Sequence, residues 1–97
     1  MSTSQELERG RLAAEVLENT VYRDALDQIR AEIVTKWQAE RDEKVRDWLW
    51  TLMQASKRLE SILSETMNTG LLAQKQLELE RSRAEKVGAT LRRAFGR

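Results

Sequence analysis

Histidine, cysteine and proline are all absent, and glycine occurs only 4 times in 97 residues. Without histidine or cysteine there is no Ser-His-Asp or Cys-His nucleophile, no imidazole general base, no Cys/His zinc site and no disulfide. Without proline, and with little glycine, the composition suits long helices and opposes a loop-rich or disordered chain. Neither sign of charge dominates: 17 Lys and Arg face 16 Asp and Glu for a net charge of +1, although 34% of the chain is charged, which argues against a purely electrostatic role. No apolar run approaches the roughly 18 residues of a spanning helix, since Trp48-Leu49-Trp50 is bounded by Asp47 and Thr51. Met1-Ser2-Thr3-Ser4-Gln5-Glu6 lacks the basic and apolar pattern of a secretory leader, so the expected location is cytoplasmic, without membrane contact.

What is present is helical periodicity. The 40% of apolar residues recur at helical steps along a chain long enough for one domain. Weak punctuation at Asn19-Thr20, Arg41-Asp42-Glu43-Lys44 and Asn68-Thr69-Gly70 divides it into four expected helices. The first, 5–18, offers the narrow stripe Leu7, Ala14, Leu17 and includes Gly10, so it is expected as a marginal arm that must pack on something. The second, 20–40, aligns Tyr22, Leu26, Ile29, Ile33 and Trp37 on one face, with Asn19 or Thr20 as cap. The third, 43–68, carries Val45, Leu49, Leu52, Ser56, Leu59, Leu63 and Thr66 in strict four-three alternation, a coiled-coil-like seam flanked by Trp48, Ala55 and Ile62, with Met53 and Met67 beside it. Asn68-Thr69-Gly70 is expected to cap it and reverse the chain into a loose fourth helix, 71–95, with Ala73, Leu77, Ala84, Val87, Leu91 and Ala94 in register and Glu80 and Gly88 interrupting.

Three tryptophans carry much of the available burial. Trp48 and Trp50 lie about 200° apart around a helix, so both cannot face one core. Either Trp37 and Trp48 are core while Trp50 covers a neighbouring helix, or Trp50 anchors an interface together with Leu49, Leu52, Met53, Leu59 and Leu63. Charge is also divided along the chain. Residues 1–80 hold 11 basic and 15 acidic groups, whereas 81–97 hold six basic and one acidic. Arg81, Arg83, Lys86, Arg92, Arg93 and Arg97 are therefore candidate contacts for an acidic protein or for phosphates, or else a solvated helix face. No helix-turn-helix or zinc-finger spacing accompanies them. Carboxylates such as Asp24, Asp27, Glu32, Glu60 and Glu65 alternate with Lys and Arg in the manner of solvated faces, so no catalytic residue, metal ligand, cofactor or small-molecule ligand is expected.

From about residue 19 to 73, Val21-Tyr22-Arg23-Asp24-Ala25-Leu26, Trp37, Trp48-Leu49-Trp50, Lys57-Arg58-Leu59-Glu60 and Gly70-Leu71-Leu72-Ala73 resemble small helical proteins encoded beside the head and DNA-packaging genes of tailed bacteriophages. The resemblance implies an accessory or morphogenesis protein that oligomerises and binds other components. The expectation is an all-α, single-domain homo-oligomeric bundle, built on an antiparallel hairpin of the two central helices with an N-terminal arm and a basic C-terminal helix. Its expected role is non-enzymatic assembly with other proteins, including phage structural components. The alternative is a packaging factor, like a small terminase subunit, whose basic helix contacts DNA.

Overall fold

The computed structural model describes residues 2–96. Among them every regular element is an α-helix: α1 (Thr3–Glu18), α2 (Thr20–Ala39) and α3 (Glu43–Phe95). The all-α class follows directly from the periodicity and from the scarcity of residues that break it.

Each junction is built from side chains that satisfy end-of-helix amides. Ser2 caps α1 reciprocally with Gln5: the Ser2 hydroxyl accepts from the Gln5 N–H (3.2 Å) and Gln5 Oε1 accepts from the Ser2 N–H (3.0 Å). Asn19 serves two helices. Its backbone N–H donates to the Val16 carbonyl at the end of α1, and its Oδ1 accepts from the Tyr22 N–H at the start of α2. Because only this one extended residue separates them, α1 and α2 meet at a bend rather than a loop. At the next junction the Glu40 carboxylate accepts from the N–H groups of Arg41 and Asp42, and Asp42 Oδ1 accepts from the Lys44 N–H to start α3.

α3 runs 53 residues, about 80 Å at helical rise, and accounts for the longest dimension of an 82 × 24 × 17 Å molecule. The other two dimensions are those of a rod two helices thick. Arg30 of α2 bonds Ser56, while Trp37, further along α2, receives Arg46, so α2 runs antiparallel to the first part of α3. α1 continues in the same direction, with Gly10 lying on Gly70. The core is correspondingly thin: Ala13, Leu26, Ile33, Leu49 and Ala73 are the buried apolar side chains, joined by the two glycines.

Two expectations need correction. There is no reversal at Asn68-Thr69-Gly70 and no separate helix over 71–95, because α3 passes straight through. Gly70 has no left-handed backbone and caps nothing. A Cβ at Gly10 would lie 2.6 Å from the Gly70 Cα, and one at Gly70 would lie 2.7 Å from the Gly10 Cα, so the pair permits backbone-to-backbone crossing of two helices. The expected marginal arm is thus the most closely apposed of the helices on α3. Second, Trp37 and Trp48 are not core residues: they remain 40% and 61% exposed. Trp37 is instead covered on one ring face by the Arg46 guanidinium, 3.7 Å from its centroid, while Arg46 Nη1 also donates to the carbonyls of Trp37 and Glu40 at the end of α2.

Candidate interaction surface

The inward face of α3 is set by what α2 and α1 touch: Leu49 and Gly70 are buried, and Met53, Ser56, Glu60, Leu63 and Met67 are half-buried. One polar node fixes register on this face. Arg30 donates to the Ser56 hydroxyl and carbonyl and pairs with Glu60 at 2.6 Å, while the Ser56 hydroxyl donates to the Met53 carbonyl. A slip of one residue would strand this partly buried guanidinium without its partners.

The neighbouring face of α3 holds a second apolar stripe. Trp48, Leu52, Leu59 and Ile62 follow each other at helical steps and are 37–61% exposed. At 100° per residue they lie on one flank of the inward face, as does Ile29 on α2, half exposed, and Val16 on α1, 39% exposed. The flank is traced independently by an open groove in which Glu6 and Arg9 of α1 lie beside Thr66 and Thr69 of α3. The opposite groove, between Leu7, Ala14, Met67 and Leu71, opens on the other side.

Beyond about residue 77, α3 has no neighbour among the described residues. α1 starts at Thr3, seven residues before its crossing, which is opposite Leu77 in an antiparallel pair. Residues 78–95 project alone, about 27 Å of helix, with Val87, Leu91 and Phe95 at 58%, 51% and 82% exposure. Arg81, Arg83, Lys86, Arg92 and Arg93 are exposed on this overhang; Arg81 approaches Glu85 at 3.9 Å. Arg97 lies outside the described residues.

The expected interface residues therefore part company. Leu49 is taken up by its own chain at 7% exposure, Met53 and Leu63 are half-buried beside it, and Leu52 and Leu59 remain outward. Trp50 is 58% exposed but points about 160° away from Leu52, apart from the stripe. Trp48, a core residue in one of the two sequence alternatives, and Ile29, aligned with the α2 face, both lie on this open flank with Val16; helical spacing shows the stripes but not which flank α1 and α2 leave open. Among the described residues no group of His, Cys, Asp and Glu could hold a metal ion, and no helix is long and apolar enough to cross a membrane. On α1, Arg11 bonds Glu8 and Glu15: its hydrogen bond holds the Glu8 carboxyl below the usual range, and the two carboxylates push the guanidinium up. Comparison with protein-family models, with curated proteins and with solved structures gives no match.

Proposed function

We propose that this chain is a non-enzymatic assembly protein, a helical rod that associates with itself and with other proteins through the uncovered flank of α3. The observation that supports this most is the exposed stripe Trp48, Leu52, Leu59 and Ile62. Bulky apolar side chains in register on one flank are the mark of an interaction surface rather than of scattered exposure. The resemblance to proteins of phage head modules supplies the setting: head morphogenesis, in the host cytoplasm, with structural components as the other partners. Light scattering after size exclusion tests the association. The expected mass exceeds that of one 11.3 kDa chain, and Leu59→Lys, at an exposed position, lowers it while helicity by circular dichroism stays unchanged. A single-chain mass at about 0.1 mM, the weak end of specific association, would count against the proposal.

A second reading rests on a different observation, the projecting helix with five exposed basic side chains. As a packaging factor the chain would lay this helix along duplex phosphates. Binding would then weaken steeply with salt, and Arg92→Ala with Arg93→Ala would lower the slope of log K against log salt by about one per lost contact. A salt-independent complex excludes it.

A further inference from the structure

We infer that the occupant of the uncovered flank is a second copy of this chain, laid antiparallel so that the overhang of each α3 seats on the first half of the other's α3. The inference rests on the assembly reading above and gives that surface its partner, its direction and its register.

The starting point is a seam that outlasts its own chain. Along α3, Leu49, Ser56, Leu63, Gly70 and Leu77 alternate with Leu52, Leu59, Thr66 and Ala73, and beyond the interruption at Glu80 the same phase resumes with Ala84, Val87, Leu91 and Ala94. α2 and α1 cover the seam only as far as about Leu77. Two apolar segments then remain open on one straight helix: the flank around Trp48, Leu52 and Ala55, and the overhang around Ala84, Val87 and Leu91. They cannot meet within one chain, because α3 is unbroken over its length. They do meet between two antiparallel copies. Reversal places Ala84 on Ala55, Val87 on Leu52 and Leu91 on Trp48, with the two-fold axis near Thr69; in the same register Val45 meets Ala94 and Ile62 meets Leu77, while Leu59 falls opposite Glu80.

Area supports a complex of this kind. A contact about one helix wide along ~80 Å of paired α3 removes on the order of 1,600 Å² from water, the size of a standard specific interface. Tail-to-tail pairing of the overhangs alone would cover about a third of that, below what stable association needs. Charge selects the direction. A parallel, in-register pair would set the basic overhangs side by side, whereas the antiparallel pair moves each one onto the other copy, with Arg81 turned toward Glu32 on the edge of α2. The flank residues Ile29 and Val16 then line the same side of the contact, which becomes an all-antiparallel bundle at its centre.

The absence of cysteine makes the test direct. Ala55→Cys and Ala84→Cys are both at exposed positions, and each variant is made separately. Upon mild oxidation at micromolar concentration, the mixture of the two variants is expected to give a covalent dimer within minutes, at least about tenfold more than either variant alone. Circular dichroism confirms that both remain helical. Cross-linking of either variant alone at the rate of the mixture means a parallel pair and overturns the arrangement. A non-covalent dimer by light scattering that never cross-links in the mixture also overturns it, while leaving the assembly reading intact. A single-chain mass that rises only when duplex DNA is added overturns both and hands the overhang to phosphates. As a second line, Arg81→Glu is expected to weaken the dimer several-fold, and Glu32→Lys in the same chain to restore it; failure of rescue in a folded double variant counts against the register.

Discussion

Gly10 and Gly88 are both helical glycines in opposite situations. At either position, alanine improves helix propensity by about 1 kcal/mol. At Gly10 the added Cβ meets the Gly70 Cα at 2.6 Å, backbone that cannot rotate away, and forced overpacking costs typically about 1–3 kcal/mol. At Gly88 the nearest obstacle is the flexible end of Arg92 at 3.7 Å. Urea denaturation should therefore show Gly10→Ala destabilised by up to about 2 kcal/mol and Gly88→Ala stabilised by up to about 1 kcal/mol. Equal shifts in the same direction would mean that α1 is not crossing α3 at this point. Nothing in the sequence separates the two glycines, because what distinguishes them is a neighbour sixty residues away. Arg11 makes a local prediction: Arg11→Gln removes the partner that depresses the Glu8 carboxyl, so its NMR titration should move up toward the ordinary carboxylate value. The sign for stability follows from that depression. The pair's small contribution is present above the unfolded carboxylate pKa and is lost as pH falls through the lowered folded value; both groups are exposed, so the effect is slight.

Among the elements, α3 shows how a sequence signal can be outvoted. Asn68-Thr69-Gly70 has the composition of a helix end, and a C-capping glycine is the usual explanation for such a triplet. The counter-signal was the phase of the seam: Leu63, Thr66, Gly70, Ala73 and Leu77 keep four-three steps across the triplet, whereas a reversal would have no reason to preserve phase. Docking of α1 decides the matter, since it offsets the propensity cost of Gly70 with close packing. Where nothing docks, the same helix should be weak. Hydrogen exchange on dilute protein is therefore expected to be slowest around 66–77 and fastest over 80–95, with the overhang slowing as concentration rises and the partner covers it. Uniform protection along α3 at all concentrations would show that the overhang needs no partner.

Considered whole, the molecule is long for its mass: its radius of gyration is 22.8 Å, against about 13 Å for a compact domain of this length. A rod with so thin a core has little apolar burial to set against chain entropy, which is a physical reason for it to pair. The antiparallel arrangement makes a shape prediction. Small-angle scattering should find that the dimer's maximum dimension stays near the 82 Å of one copy, because the two rods lie alongside; a clearly longer particle would mean end-on contact. The sequence by itself determined the all-α class, the exclusion of histidine and cysteine chemistry, the helix starts near Thr20 and Glu43 and the apolar register of the helical faces, because these depend on local propensity, capping and periodicity. The tertiary structure alone decided that Gly70 is a crossing rather than a turn, that Leu49 faces inward while Trp48 and Leu59 do not, and that the basic segment stands free. Those outcomes depend on which flank of α3 receives α1 and α2, and a single helix's periodicity defines a stripe without saying how much of it a neighbour will cover.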